Sequence, residues 1–182
     1  DWPLALLRSG QPRWVFDLDD AVFLPNASEA NRRFVALKSH NSTAALAAGA
    51  RAVSAGNSWL AAWARSRRSA SAADDVEVIP TAVDSDRWVP APRASDGPVR
   101  LLWIGSPSTL GYLVAWGPIL TRLCARHPGL ELHVIGAKLV LPGVRCVSHA
   151  WSAATEQAIA QRCDIGLAPL ADGDWERGKC GL

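Results

Sequence analysis

The stretch VRLLWIGSPSTLGYLVAWGPILTRLCARHPGLELHVIG, residues 99–136, holds two short apolar runs that each end in glycine, with a longer segment between them. Short apolar runs bounded by turn residues are typical of strands buried inside a sheet. We therefore predict strands over residues 99–105 and 130–136, with a helix over about residues 112–127 between them. Strands that alternate with helices in this way pair in parallel through right-handed crossovers.

The same alternation continues on both sides of this stretch. Further strands are predicted over residues 14–18, 51–55, 76–80, 144–150 and 164–170. Further helices are predicted from about Glu29, after Gly56-Asn57-Ser58, and over residues 152–162. Residues 81–98 are rich in proline and lack periodicity, as expected of a linker between domains. The pattern predicts an α/β protein with two parallel-sheet domains.

The composition excludes several classes of protein. Of the 182 residues, 49% are hydrophobic and 20% are charged, which is typical of a soluble globular protein. A net charge of +2 is too small to predict binding of nucleic acid. The four cysteines show no CxxC spacing, so we predict reduced thiols in a cytosolic protein rather than a zinc site or a disulfide framework. Because the sequence begins at Asp1 and contains no methionine, we expect an internal piece of a longer protein.

Two glycine-containing stretches have the residue types of an anion site. Gly105-Ser106-Pro107-Ser108-Thr109 is a strand-end turn that leads into a helix, where free backbone N–H groups attract anions. The closing loop, residues 171–181, sets Arg177 and Lys179 among glycines, which let a backbone approach an anion closely. Each stretch also has an ordinary interpretation, as a plain capped turn and as a charged surface loop. Because both follow the carboxyl ends of predicted strands, we expect them to face one cleft.

Carboxylates cluster at the end of the first predicted strand, in VFDLDDAVF, residues 15–23. The hydrophobic-Asp-x-Asp pattern resembles the first motif of haloacid dehalogenase-type phosphatases, which implies Asp17 as nucleophile, Asp19 as acid and a magnesium ion between them. The sequence departs from that family at Ala21, where threonine is usual. The Lys and the acidic pair that complete the family's metal site have no clear counterpart. A magnesium-dependent phosphatase is therefore an alternative interpretation.

The order of six motifs resembles family 4 (group 1) glycosyltransferases over nearly the whole chain. The motifs are VFDLDDAVF, SAGNSWLAAWAR, VEVIPTAVDSDRWVP, VRLLWIGSPSTLGYL, ELHVIG and DIGLAPLADGDWERGKCGL. The resemblance implies the GT-B fold, with two Rossmann-like parallel-sheet domains that are both incomplete in this chain. Residues 1–84 would be the later part of the N-terminal, acceptor-side domain, and residues 85–98 the interdomain linker. Residues 99–182 would be the first part of the C-terminal domain, which binds the nucleotide sugar.

The resemblance also implies an activity and the residues that perform it. The family moves a sugar from a nucleotide-diphosphate-sugar donor to an acceptor hydroxyl, with retention at the anomeric carbon and with no obligatory metal or other cofactor. Asp19 or Asp20 would take the catalytic place, where a carboxylate can accept a hydrogen bond from the sugar or the acceptor hydroxyl. The other implied positions are Gly105, Ser106, Arg177 and Lys179 for the donor diphosphate, Glu176, Gly178 and Gly181 for the sugar or ribose, and His149 and Trp151 near the nucleobase.

The chain departs from the glycosyltransferase family at two points. No cation follows the predicted strand at 99–105 before Arg122, so Arg177 and Lys179 are expected to supply the missing positive charge. The family's E-x7-E signature is not satisfied, since Gly178 stands where its first glutamate is expected. A non-catalytic nucleotide-sugar-binding module is therefore a third interpretation.

The expected partners follow from the resemblance. They are a nucleotide-sugar donor and a carbohydrate or lipid-linked acceptor, with no nucleic acid. Arg65, Arg67 and Arg68 crowd the end of a predicted helix, where they can contact anionic lipid head groups or form a solvated helix end. We expect a cytoplasmic protein, with peripheral contact at the cytoplasmic membrane as the open alternative.

Overall fold

The computed structural model describes residues 14–24, 40–92 and 97–180, with the backbone alone at residues 40 and 41. By their contacts these residues fall into two units, the first drawn from Asp1–Val83 and Asp172–Leu182 and the second from Asp84–Ala171. The elements of the described chain are, in order, β1 (Val15–Leu18), α1 (His40–Gly49), β2 (Ala52–Ala55), α2 (Ser58–Ser66), a 3₁₀ helix (Ala70–Asp75), β3 (Val76–Val78), β4 (Val99–Ile104), α3 (Leu110–Ala115), α4 (Gly117–Arg126), β5 (Leu130–Ile135), β6 (Arg145–His149), α5 (Glu156–Ala160), β7 (Ile165–Gly166) and α6 (Asp174–Arg177). All pairings between these strands are parallel, so the predicted α/β class with parallel sheets is confirmed.

The first unit contains a three-stranded sheet in the order β1-β2-β3. The register places Asp17 opposite Ser54, so β1 and β2 end at the same edge of the sheet. Helix α2 contributes Leu60, Ala61 and Ala64 to the buried core beneath the sheet. The two alanines add little bulk, which lets the helix backbone approach the strands closely.

Helix α2 begins where the sequence predicts. The backbone of Asn57 is extended (φ −152°, ψ 170°), and its side-chain oxygen accepts a hydrogen bond from the Leu60 N–H over 2.9 Å. This bond satisfies one of the N–H groups that the first turn of a helix leaves unpaired. The helix predicted from about Glu29 starts outside the described residues, and α1 begins at His40.

The arginines that end α2 are bound within the first unit. Arg65 donates to the carbonyl oxygen of Val76 over 2.7 Å, and the guanidinium of Arg67 lies 5.5 Å from the centre of the Trp63 ring. Arg68 donates to four carbonyl oxygens, those of Ala47, Ala50, Arg51 and Ala72. These contacts give the basic group a structural role, because it joins the ends of α1 and α2 to the following 3₁₀ helix.

The second unit contains a four-stranded sheet in the order β6-β5-β4-β7. Helices α3 and α4 contribute buried residues to the core on one face of this sheet. That core includes Leu101, Trp103, Leu113, Leu120, Leu132 and Val134. Strand β7 is shorter than the predicted strand over 164–170, since only Ile165–Gly166 pairs with β4.

The single helix predicted over residues 112–127 consists of two helices, α3 and α4. Pro118 lies in the first turn of α4, where the missing N–H of proline needs no partner. The N–H of Trp116 donates to the carbonyl of Leu113 over 3.1 Å, which closes α3 in a tighter turn. The Gly117-Pro118 pair therefore ends one helix and starts the next.

Side chains of the α5 region bind the main chain of residues 87–89. The side-chain amide of Gln157 donates to the carbonyl of Arg87, and that of Gln161 donates to the carbonyl of Val89 over 3.0 Å. The two glutamines are four residues apart, so they lie on the same side of a helical turn. Part of the predicted linker over 85–98 thus belongs to the second unit.

Within residues 14–24, 40–92 and 97–180, no helix is both long enough and apolar enough to cross a bilayer.

Candidate functional site

In the first unit, three carboxylates lie at the carboxyl end of β1. Asp17 accepts a hydrogen bond from the hydroxyl of Ser54 on the neighbouring strand. Asp20 accepts from the N–H of Ala21 at Oδ1 over 3.2 Å. Asp19 is exposed, and it makes no hydrogen bond or ion pair with the described residues. Of the three carboxylates, that of Asp19 is thus the most available to a ligand.

The loop 172–180 docks against this edge. The side-chain amide of Asn57 donates to the carbonyl oxygens of Arg177 and Lys179, each over 3.1 Å. Glycines permit the close contact: a Cβ on Gly178 would come within 2.5 Å of the Ala21 Cβ. A Cβ on Gly56 would similarly meet the thiol of Cys180 at 2.2 Å. The loop is therefore held through its main chain and through two positions without side chains.

The two cations of this loop have different surroundings. Lys179 Nζ lies 2.9 Å from Asp20 Oδ2, and both side chains are less than a third exposed, at 29% and 28%. Arg177 is 54% exposed and pairs with Asp172 over 3.1 Å and with Asp174 over 3.5 Å. Surface pairs of the second kind are weak, whereas partial burial strengthens the first.

The other predicted residues of the loop are placed as follows. Glu176 lies in α6, and its carboxylate folds back over Gly173, where a Cβ would meet Glu176 Oε2 at 2.4 Å. Gly178 is buried against Ala21, and Gly181 lies outside the described residues. Burial raises the pKa of the Cys180 thiol, and the charges of Asp19 and Asp20 raise it further. The thiol therefore stays protonated near neutral pH.

The contacts group the loop differently from the predicted domain boundaries. The sequence places residues 99–182 in one domain, whereas Asp172–Leu182 groups with the first unit. The physical reason is that the loop is hydrogen-bonded to Asn57, packs closely against Gly56 and Ala21, and forms an ion pair through Lys179. Arg177 and Lys179 thus belong to the first unit, while Gly105 and Ser106 belong to the second.

The sequence placed Asn57 only at the start of a predicted helix, which it caps. Its amide also holds the loop 172–180, and no local signal in the sequence reveals this second role.

Substitution of Asn57 separates its role as a helix cap from its role in holding the loop. Asn57→Ala removes both, and it should cost about 1 kcal/mol of stability through the lost cap. Asn57→Ser keeps a capping oxygen but lacks the amide donor, so it should spare the helix and release the loop.

Hydrogen exchange measures this separation. In both Asn57 variants the amides of residues 177–180 should exchange about tenfold faster, as expected for the loss of a hydrogen bond or two. In Asn57→Ser the amides of α2 should exchange as in the wild type. Wild-type exchange of the loop in Asn57→Ser would show that the amide does not hold it.

In the second unit, three strand ends meet at one edge of the sheet. The Gly105 N–H donates to the carbonyl of Ile135 over 3.1 Å, and the Gly136 N–H donates to the carbonyl of His149 over 3.0 Å. Gly136 has φ +90°, and a Cβ there would lie 2.1 Å from the carbonyl oxygen of Gly105. Only glycine permits this approach. The two adjacent strand ends therefore pack backbone against backbone, with no side chain between them.

The turn after β4 is bonded to itself. The N–H of Ser106 donates to Thr109 Oγ1 over 3.2 Å, and that hydroxyl donates to the carbonyl of Ser106 over 3.1 Å. The hydroxyls of Ser106 and Ser108 share a bond of 2.7 Å. The hydroxyls that were predicted to face an anion thus also bond within the turn. This is the arrangement expected of a plain capped turn, which was the alternative to an anion site.

Trp151 follows β6 at the same edge and is 60% exposed. Its indole N–H donates to Glu156 Oε2 over 2.6 Å, which fixes the orientation of the ring. The Trp151 Cβ lies 3.7 Å from the position of a Cβ on Gly136. An exposed ring held beside a glycine edge can stack against a flat ligand.

His149 belongs to a chain of titratable groups that the sequence did not reveal. His133 Nδ1 lies 3.0 Å from His149 Nε2, and His133 Nε2 lies 3.4 Å from Glu131 Oε2. Glu131 is 7% exposed and also pairs with Arg145 over 3.0 Å and with Arg100 over 3.4 Å. The available signal in the sequence was the alternation of Glu131 and His133 with apolar residues along β5.

The surroundings shift two of these groups. Burial would raise the pKa of Glu131, but the hydrogen bond from His133 and the charges of Arg145 and Arg100 hold it below its ordinary value. Burial and the adjacent His133 both lower the pKa of His149. This row of titratable groups therefore starts at the anionic carboxylate of Glu131 and ends at the neutral imidazole of His149, beside the carboxyl edge of the sheet.

No group of three or more His, Cys, Asp or Glu side chains within the described part of the chain is arranged to hold a metal ion. The chain matches no protein-family model, and no curated protein matches it.

Proposed function

We propose that this chain is part of a GT-B glycosyltransferase, which moves a sugar from a nucleotide-diphosphate-sugar donor to an acceptor hydroxyl with retention and without a metal. The observation that carries the proposal is the edge of the second unit, where Gly105 and Gly136 meet beside the exposed ring of Trp151. The order of the sequence motifs supports the same activity.

The edge of the second unit has the chemistry of a nucleotide site. Carboxyl ends of parallel strands are where ligands bind in open α/β sheets. Gly105 and Gly136 end two adjacent strands without side chains, and Ser106, whose hydroxyl can donate to a phosphate, follows directly. The ring of Trp151 offers a face to a nucleobase, while His149 ends the adjacent strand. Under this proposal the base stacks on Trp151, and the diphosphate binds at the adjacent strand ends.

The first unit supplies the groups proposed for transfer. Asp19 is exposed at the end of β1, so its carboxylate can accept a hydrogen bond from a sugar or acceptor hydroxyl. Asp20 is engaged by Lys179, which makes Asp19 the better candidate of the two. Arg177 and Lys179 are the cations proposed for the diphosphate, which must compete for them with the carboxylates of the same unit. Glu176 precedes Arg177, and Gly178 lies between the two cations.

A binding and transfer assay on the full-length protein tests this proposal. A nucleoside diphosphate or its sugar should raise the melting temperature, and sugar should appear on a carbohydrate or lipid-linked acceptor. Trp151→Leu should weaken nucleoside-diphosphate binding about tenfold, in line with the loss of base stacking. Trp116→Leu, at a ring that is 37% exposed and follows α3, is the matched control and should change binding less than twofold.

A second pair of substitutions tests the cations. Arg177→Ala combined with Lys179→Ala should weaken the binding of nucleoside diphosphates by more than about tenfold. Unchanged affinity would remove both residues from the proposed site. Binding without transfer to any acceptor would favour the non-catalytic nucleotide-sugar-binding module.

The phosphatase alternative requires Asp17 as its nucleophile. The hydroxyl of Ser54 donates to this carboxylate and holds it at the end of β1. This alternative requires magnesium-dependent hydrolysis of a phosphate ester, and Asp17→Asn should abolish it. Absence of any such hydrolysis by the wild-type protein would exclude the phosphatase.

A further inference from the structure

Lys179 and Asp20 form an ion pair that bridges 159 positions of sequence at the carboxyl edge of the first sheet. Both partners are fixed by other contacts. Asn57 binds the carbonyl of Lys179, while the N–H of Ala21 donates to the second oxygen of Asp20. The pair is therefore built into the fold and is more than a chance contact of two surface side chains.

The charges around this pair oppose an incoming anion. The positive charge of Lys179 is matched by Asp20 at 2.9 Å, and Asp17 and Asp19 stand at the end of the same strand. A phosphate that approaches Lys179 therefore meets a cation already neutralised, together with further negative charges. Like charges a few ångströms apart repel noticeably where the surroundings are partly buried.

Lys179 has a second partner in the same position. Its ammonium lies 5.1 Å from the centre of the Trp175 ring, which attracts a cation by its quadrupole. A lysine ammonium is a point charge on a flexible stem, so it can turn from one anion to another without rearranging the backbone. Asn57 holds that backbone in place while the side chain turns.

We propose that Asp20 is the internal counter-ion of Lys179 and that a phosphate of the ligand binds by displacing it, so the pair acts as a latch on the anion site. This inference rests on the proposed function for the identity of the ligand. It changes the role of Asp20 from a catalytic group to a positioning group that sets affinity. The latch lowers affinity for anions that cannot replace Asp20, and so discriminates in favour of ligands with high charge density.

Calorimetric titration of inorganic pyrophosphate into the full-length protein tests the latch. Asp20→Asn keeps the size of the side chain and removes its charge, so pyrophosphate should bind about fivefold more tightly. Lys179→Met should weaken binding about tenfold. In the background of Lys179→Met, Asp20→Asn should change affinity less than twofold, because the cation that it controls is gone.

Asp74→Asn is the matched control for a general loss of negative charge, because Asp74 is an exposed carboxylate before β3, at the opposite end of the first sheet. It should change pyrophosphate affinity less than twofold. An equal gain in Asp74→Asn and Asp20→Asn would overturn the latch, as would unchanged or weaker binding in Asp20→Asn. Failure of both the wild type and Asp20→Asn to bind pyrophosphate would overturn it too.

The outcomes for the latch and for the proposed function are separable. A tighter Asp20→Asn variant that transfers no sugar from any donor would support the latch and reject the transferase. Sugar transfer with no gain in pyrophosphate affinity for Asp20→Asn would support the transferase and reject the latch.

Discussion

Replacing Gly136 with alanine is expected to lower the free energy of unfolding of the second unit by about 3 kcal/mol or more. Two costs add at this position. The backbone has φ +90°, which an L side chain adopts only with strain, and the new Cβ would lie 2.1 Å from the Gly105 carbonyl oxygen. Gly105 cannot withdraw cheaply, because its N–H is bonded to Ile135 on the adjacent strand.

Two other glycines of the same unit separate these costs. Gly143 also has a positive φ, of +70°, but its Cβ would meet only the Thr121 methyl at 3.5 Å, so Gly143→Ala should cost about 1 kcal/mol. Gly111 lies in α3 with nothing within 4 Å, and Gly111→Ala should stabilise by about 0.5–1 kcal/mol. Denaturant unfolding measures all three. A cost for Gly136→Ala no greater than that for Gly143→Ala would contradict the close approach of the two strand ends.

The second large effect is expected at Glu131. Glu131→Gln keeps the shape of the side chain but removes the charge that Arg145, Arg100 and His133 share. We expect a loss of about 2 kcal/mol at pH 7, below the usual cost of breaking a buried pair because Arg145 is 75% exposed. Glu77→Gln, on the exposed side of β3, is the control and should cost less than about 0.5 kcal/mol.

The same chain of groups makes the second unit sensitive to acid. The folded pKa of His149 is lowered from 6.5, so the unfolded chain takes up the proton first as the pH falls. Stability should therefore decrease as the pH drops from 6.5 through the lowered pKa, and again below 4.5 as Glu131 is protonated. Free energies of unfolding at pH 7 and pH 5.5 measure the first step. His149→Gln should reduce that step, whereas His127→Gln, at the exposed end of α4, controls for the loss of a histidine elsewhere.

The sequence predicts the strands well, because their cause is local. The runs over 99–105 and 130–136 are apolar and end in glycine, and β4 and β5 fill them almost completely. The break between α3 and α4 was also visible in Gly117-Pro118, yet the apolar spacing on both sides favoured one helix. The periodicity of apolar residues shows which face of a helix is buried, but it does not show that Pro118 lacks the N–H group that a continuous helix needs.

The candidate site was predictable only where its residues stand at strand ends. Asp19, Gly105 and Trp151 were found because each follows an apolar run. The docking of the loop 172–180 was not predictable, since Asn57 and Lys179 are 122 positions apart and their contact depends on packing. The pattern of LELHVIG did hold one unused signal: Glu131 and His133 alternate with apolar residues, so they share a face of β5.

The two glutamines of the α5 region set the register of residues 87–89. Gln157 lies in α5 and Gln161 caps its C-terminus one helical turn further on, so the two amides lie on one side of the helix. Both amides bind main-chain carbonyl oxygens, those of Arg87 and Val89, so these two hydrogen bonds do not depend on which side chains stand at residues 87 and 89. An insertion or deletion between these two residues would instead move one carbonyl away from its glutamine, because the spacing of the glutamines is fixed by the helix.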